Sequence, residues 1–257
     1  AIAGGAYLIF RDASREVLTA RLRSEFVANV SHELRTPLTS IRMYAETLLL
    51  GRHRDAEQLR DYLQTIVQES QRLSRMVDNM LDFSRMESGR KTYDFAPLNL
   101  GAITQRALEE FAPLLREHGF AVELDIADGL PPVRADADSL HAALANLLSN
   151  AVKYSGPQRY IRVRLWRQDH YQCIEIADRG IGVPAEDREH IFDKFHRAAN
   201  SGGSAVGTGL GLALVFSIMD DMNGKVHLTS PVGPDVQCGT RVTLSLSSGC
   251  YGPDYEM

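Results

Sequence analysis

The sequence predicts two architectures in series, α followed by α/β. A helical hairpin dimerises into a four-helix bundle, and behind it comes an α/β sandwich built on a mixed sheet. Three observations carry this reading. Apolar residues recur at helical spacing from about Ser14 to Leu50 and again from about Ala56 to Met86. A polar break with a glycine, Ser88-Gly89-Arg90-Lys91, ends that pattern. Beyond it, helical and strand-like segments alternate, which is the texture of an α/β fold.

In the first helix the apolar positions are Val27, Val30, Leu34, Leu38, Ile41, Ala45 and Leu48, with steps of three and four. The one irregularity falls at Leu38, beside Pro37. Gly51 to Asp55 reads as a turn. The second helix keeps strict four-three alternation through Leu59, Leu63, Ile66, Ser70, Leu73, Val77, Met80 and Ser84, a heptad seam. Tyr62, Met76, Leu81 and Phe83 widen the apolar stripe beyond what one partner helix covers. A lone hairpin leaves that stripe wet, so the economical solution is a homodimer.

After the break the pattern predicts helices near 101–118, 137–154 and 210–222, with a short helix near 186–193. Strands are expected near 120–127, 160–167, 171–177, 225–230 and 240–247. The resulting boundaries are 1–13 for an apolar N-terminal segment, 14–87 for the hairpin, 88–95 for a linker, 96–247 for the α/β domain and 248–257 for a tail.

The 257 residues carry 28 Lys and Arg against 33 Asp and Glu, a net charge of −5 with the signs interleaved. A dedicated nucleic-acid binder more often shows a basic face, so that class is disfavoured. Cys173, Cys238 and Cys250 form no C-x-x-C pair, and with the scattered histidines they offer no metal spacing. The first ten residues carry no charge and are followed by Arg11, Arg15, Arg21 and Arg23. They read as the end of a transmembrane helix with the arginines on the cytoplasmic side. A short apolar arm packing on its own domain is the alternative, because a span needs about 20 residues.

Chemistry-bearing residues fall in a few places. His32 has Glu33 beside it and Pro37 five residues on. The proline ring crowds the Glu33 carbonyl and bends the helix one turn below the imidazole. A carboxylate that holds Nδ1–H leaves Nε2 as the free lone pair needed for attack on phosphorus. A histidine on a helix surface is the ordinary alternative. Asn146, Asn150 and Lys153 share one face of a helix whose opposite side carries Leu144, Leu147, Leu148 and Ala151. An Asn carbonyl suits Mg²⁺ that already carries phosphates and waters, and a lysine supplies a point charge for phosphate. Read alone, the same stretch is a plain amphipathic helix.

Asp178 closes a strand. There a carboxylate accepts an adenine amino proton while Gly180 and Gly182 let the backbone pass close to the base. The alternative is an ordinary Asp-Gly turn. Gly207-Thr208-Gly209-Leu210-Gly211 runs into a helix, whose first N–H groups meet phosphate oxygens. Neither a dinucleotide fingerprint nor a Walker loop fits, since the acidic partner and the Gly-Lys-Ser/Thr ending are missing. Between these motifs Phe192 and Phe195 anchor one end of a lid running from Ala198 to Val206.

The run Ser31-His32-Glu33-Leu34-Arg35-Thr36-Pro37-Leu38 closely resembles the H box of the sensor histidine kinases of two-component signalling. Asn150-Ala151-Val152-Lys153-Tyr154-Ser155 resembles their Asn-containing Mg–ATP box, which adds Tyr154 to the pocket. The resemblance covers roughly residues 20 to 247. It implies that His32 is the phospho-acceptor, Glu33 its general base and Thr36 a residue that orients water when the partner is dephosphorylated. It implies ATP held around Asn146, Asn150, Lys153, Tyr154, Asp178, Gly180, Gly182, Gly207, Thr208, Gly209, Leu210 and Gly211, with Mg²⁺ on Asn150. Arg197 is expected to approach the terminal phosphate, and Thr240, after Gly239, matches a weaker terminal glycine motif. The fold implied is the one shared with gyrase and Hsp90 ATP-binding domains.

The expected protein is the cytoplasmic part of an inner-membrane sensor kinase. It acts as a homodimer, is phosphorylated on His32 from Mg–ATP, and passes the phosphoryl group to an aspartate of a response regulator receiver domain. The alternatives are a response-regulator phosphatase, a dimeric scaffold that only binds nucleotide, and a DNA-repair-type ATPase on the same fold.

Overall fold

The computed structural model describes residues 28, 30–31, 34–88, 90–198, 209–232 and 238–248. Expectations for 1–13, His32, Glu33, the lid from 199, Gly207, Thr208 and the tail from 249 therefore lie outside the described residues. The chain forms two compact units, Ala1–Glu87 with Val206–Leu210, and Ser88–Ala205 with Gly211–Met257.

The first unit is helical. Its first helix, α1, is described over 34–49 and stays helical across Pro37. Gly51, with φ of 64°, ends it by donating to the Leu48 carbonyl while Arg52 donates to that of Thr47. This pair of bonds is a Schellman motif, which satisfies carbonyls left open at a helix end. The second helix, α2, runs Ala56–Glu87. Asp55 starts it by accepting from Gln58 N–H at 2.8 Å, and the Gln58 side chain accepts from Arg54 N–H at 2.8 Å. The Tyr44 and Tyr62 rings pack with centroids 5.0 Å apart. Within a single chain its two helices have almost no interior: up to Glu87, Pro37 is the only buried position among the described residues. Leu63, Val67, Val77 and Leu81 are all more than 40% exposed, so the apolar stripe is open along its length.

The second unit is an α/β sandwich. Its elements in order are β1 (Ala96–Leu98), α3 (Leu100–Glu117), β2 (Ala121–Ile126), β3 (Val133–Ala135), α4 (Ala137–Lys153), β4 (Tyr160–Gln168), β5 (Tyr171–Asp178), α5 (Gly211–Asp221), β6 (Lys225–Thr229) and β7 (Arg241–Ser247). Five strands form one mixed sheet in the order β2-β4-β5-β7-β6. Among the described strand pairs of this sheet, only β2–β4 is parallel. One face carries Ile161, Val163, Leu165, Ile174, Ile176, Val242, Leu244 and Leu246, each buried, as strand alternation requires. α4 packs between α3 and α5 and against β5, and supplies Leu140, Leu144, Leu147 and Leu148 to the same core.

On the other face Glu175, only 4% exposed, is gripped by two arginines. Arg162 Nη2 lies 3.1 Å from its Oε1, and Arg241 Nε lies 3.2 Å from its Oε2. A carboxylate out of water needs such partners.

Two features depart from the sequence expectation. β1 and β3 form a separate antiparallel pair, Leu98 opposite Val133, which three-residue strands with a proline give no periodicity to announce. The helix expected near 186–193 is a single 3-10 turn at Ala185–Asp187 followed by further turns. There the backbone bonds close every three residues, from Asp187 to Pro184, His190 to Asp187, Asp193 to His190 and His196 to Asp193. The side chains hold that tighter path, with His190 on Asp193 at 2.8 Å and His196 on Asp187 at 3.0 Å.

The chain just after the break is tied to the α/β unit. Tyr93 donates to Asp221 at the end of α5 at 2.5 Å, and Asp94 N–H donates to Asp136 at 2.7 Å. Asp136 is also the N-cap of α4, accepting from Ser139 N–H at 2.7 Å. Burial pushes its carboxyl up, but the bonds from Ser139 and Asp94, with Lys91, bring it below its ordinary value. Its ionisation therefore stabilises the fold above the ordinary value of 3.8, and that contribution is lost as pH falls below it. Asp136→Ala removes a cap and strands the Asp94 N–H. We expect a loss of about 2 kcal/mol in urea unfolding at neutral pH, shrinking on acidification.

Candidate functional site

The central strand β5 ends at Asp178, and the structure gathers several of the singled-out residues around that carboxyl. Oδ1 accepts from Gly180 N–H at 2.8 Å and from Thr240 N–H at 3.1 Å. The Asp178 N–H donates in turn to the Thr240 carbonyl at 2.8 Å. Oδ2 has no hydrogen bond to any described residue. Burial drives the carboxyl up to about 6, and the two N–H bonds hold it from rising further. The group thus stands at the end of a strand with one oxygen secured and the other available as an acceptor.

Close backbone packing explains the glycines. A Cβ on Gly180 would sit 2.1 Å from the Tyr154 carbonyl oxygen, so only glycine fits against the end of α4. The same carbonyl accepts from Ile181 N–H at 3.1 Å and clamps the loop to that helix. Gly182 has φ of 70° and Gly239 φ of 107°, conformations that L side chains rarely adopt. A Cβ on Gly239 would also lie 2.4 Å from the Asp178 carbonyl oxygen.

α4 carries Asn146, Asn150 and Lys153 at intermediate exposure on its outer side while its leucines face the core. Asn146 Nδ2 donates to the Ala142 carbonyl at 2.9 Å, which leaves its Oδ1 turned to other groups. α5 starts against these side chains: a Cβ on Gly211 would lie 3.2 Å from Asn146 Oδ1 and 3.8 Å from Asn150 Nδ2. Gly209 and Leu210 lead into that start, Gly209 with φ of 70°. Lys153 Nζ lies 5.1 Å from the centroid of the Tyr154 ring. Arg197 is half-buried near the end of the described segment after Phe195, a residue with φ of 69°. The Phe192 ring packs on Phe216 of α5 at 5.9 Å. In the helical unit Thr36 is exposed, one residue before buried Pro37.

Chemically, this set offers an acceptor at a strand end, glycine backbone that permits close approach, a helix start and neutral amide oxygens. Adenine, phosphates and a divalent ion are what such donors and acceptors fit. Sequence reading passed over Ser230. This residue, only 5% exposed, accepts from Val183 N–H at 2.9 Å and donates to the Gly239 carbonyl at 2.7 Å. A serine before a proline at a strand end looks like any turn, and no local pattern marks it.

The comparisons with known proteins agree with this geometry. Residues 135–249 match the family of histidine kinase-, DNA gyrase B- and HSP90-like ATPases, which defines the class of the second unit. Residues 22–89 match the His Kinase A (phospho-acceptor) domain. The chain belongs to the sensor histidine kinases. It is 32% identical to the sensor-like histidine kinase SenX3 of Mycolicibacterium smegmatis over 98% of this chain and 63% of that protein. It is also 32% identical to Drug sensory protein A of Synechocystis, over 89% of this chain and 36% of that protein. The chain thus spans about a third of the cyanobacterial relative's length. Among solved structures, that of full-length ShkA in complex with AMPPNP matches 86% of this chain and 45% of that one, at 26% identity and a TM-score of 0.58.

Gly180→Ala forces a methyl group into the Tyr154 carbonyl and detaches Ile181. We expect a destabilisation of about 1–3 kcal/mol, measured by urea unfolding.

Proposed function

We propose that this chain is the kinase part of a sensor that phosphorylates His32 from Mg–ATP and passes the phosphoryl group to an aspartate on a response regulator. The single observation that carries the reading is the Asp178 carboxyl, secured on one oxygen by Gly180 and Thr240 with the other left to accept. Asp178 Oδ2 accepts the adenine amino group, and Gly180 and Gly182 let the base lie against the backbone. The N–H groups at the start of α5 and Lys153 meet phosphate oxygens, Asn150 holds Mg²⁺ with Asn146 beside it, and Arg197 neutralises charge at the terminal phosphate.

ATP supplies a phosphoryl group on an activated anhydride. Glu33 holds the Nδ1–H of His32 and takes up the positive charge that develops on the ring. Nε2 forms the new bond to phosphorus as the bond to the bridging oxygen breaks and ADP leaves. Catalysis rests on in-line positioning and charge neutralisation more than on covalent chemistry by the protein. Thr36 orients water for the opposing reaction, in which water attacks the regulator's aspartyl phosphate and releases inorganic phosphate. The open apolar stripe of α1 and α2 is covered by a second copy of the chain, which completes a four-helix bundle. A membrane segment at or before the N-terminus anchors the sensor, with this part on the cytoplasmic side.

His32→Gln tests the acceptor. We expect it to abolish transfer of label from γ-labelled ATP onto the protein while ADP affinity stays within about twofold of the parent. Label on the variant at the parent level overturns the assignment.

Asp178 ties the pocket to pH. Because its folded value of about 6 lies above the ordinary 3.8, ionisation costs stability of the empty domain. Stability is fully present below the ordinary value and is lost as pH rises through about 6, the same window in which the acceptor for adenine is created. Asp178→Asn cannot face both backbone N–H groups and adenine with an oxygen. We expect calorimetry to give about tenfold or greater loss of ADP affinity at neutral pH, and no gain in affinity from Asp178 ionisation as pH rises.

A further inference from the structure

Ser230 belongs to none of the motifs of the proposed pocket, yet its hydroxyl lies between two of the loops that form it. We infer that Ser230 is a positioning residue for the adenine subsite, setting the orientation of the peptide that grips Asp178; the inference rests on the reading of Asp178 as the adenine acceptor. The bonds form a single file. Val183 N–H donates to Ser230 Oγ at 2.9 Å, and Oγ–H donates to the Gly239 carbonyl at 2.7 Å. That carbonyl and the Thr240 N–H belong to one planar peptide unit, and the N–H donates to Asp178 Oδ1 at 3.1 Å.

The hydroxyl therefore holds one side of the peptide plane whose other side holds the carboxylate. Each bond in such a chain polarises the next, by roughly 10–30%. The surroundings leave the plane little other support. Gly239 sits at φ of 107°, a region in which glycine is free to turn. The space around Ser230 is closed: a Cβ on Gly182 would lie 2.9 Å from its Oγ, and one on Gly239 would lie 2.9 Å from Val232 Cγ2. From the other sheet face Arg241 reaches the Val232 carbonyl at 2.9 Å and is itself held by Glu175. The turn that carries Ser230 is thus braced at both ends, and its hydroxyl is aimed by the fold.

Among the described residues, no charged side chain competes for control of Asp178. Arg179, its neighbour in sequence, lies over the Tyr160 ring at 4.1 Å. Lys153 at the end of α4 lies over Tyr154. Arg162 on β4 and Arg241 on β7 are engaged by Glu175. What restrains the Asp178 carboxyl against burial is the pair of backbone donors from Gly180 and Thr240. Loosening the second of these raises the pH at which Asp178 ionises. It therefore lowers adenine affinity increasingly as pH falls through the midpoint, and leaves it unchanged well above it.

The test uses the full chain with isotope-labelled aspartate, following the Asp178 side-chain carboxyl by NMR without nucleotide, alongside ADP binding by calorimetry. In the parent the carboxyl titrates near 6. In Ser230→Ala the midpoint rises by about half a pH unit, and ADP binds about two- to threefold more weakly near about pH 5.5, the gap closing towards about pH 8.5. An unchanged carboxyl midpoint in Ser230→Ala, or an equal loss of affinity at every pH, overturns the inference.

If Ser230→Ala does not fold, the parent protein decides. Amide signals of Thr240 and Val183 are expected to titrate together with Asp178, and a Val183 amide that stays still while Thr240 moves overturns the relay. Failure of the adenine reading looks different: Asp178→Asn would bind ADP like the parent, whatever the carboxyl titration shows.

Discussion

The α/β unit turns on one carboxylate at the end of its central strand. Burial opposes the charge on Asp178, and among the described residues two backbone N–H groups, from Gly180 and Thr240, work for it. These donors come from different places in the chain, a loop after β5 and the approach to β7. To bring both within reach of one oxygen, the backbone must pass closer than any side chain allows at Gly180 and Gly239. The glycines are therefore a consequence of the carboxylate's bonding, and the loop clamps through Tyr154 and Ser230 follow from the same need.

The sheet that carries this group is asymmetric. Its helix-covered face is aliphatic, while its other face handles charge through the Arg162–Glu175–Arg241 grouping. A buried ion group contributes little net stability compared with apolar packing, but leaving one member unpaired is costly. Arg241 uses that constraint. Fixed by Glu175, it holds the Val232 carbonyl, and so couples the outer face to the turn beside the adenine acceptor.

The helical unit follows another logic. Its turn is specified locally, by Gly51 ending α1 and Asp55 starting α2, and needs nothing from elsewhere. Its packing is the reverse, since one chain buries almost nothing along two long helices. Helix stability in water comes mainly from burying an amphipathic face. That makes the proposed dimer a condition of the unit's order as well as of its signalling role.

Local chemistry left clear marks in the sequence. The heptad seam of α2, the polar break over residues 88–91, the Asn face of α4 and the Asp178-to-Gly182 strand end are each written in neighbouring residues, because helix and strand periods are local properties. The histidine motif is written there too, although His32 and Glu33 fall outside the described residues. Only tertiary structure decided that β1 pairs with β3, that the segment after Asp187 tightens into turns instead of a helix, and that Ser230 meets Val183 and Gly239. Those contacts join groups whose partners lie across loops, and the closing of a loop leaves no periodic trace. The sequence by itself thus determined which chemical groups the protein carries and on which elements. The packing of distant strand ends determined which oxygen of Asp178 is bound and which is left to accept.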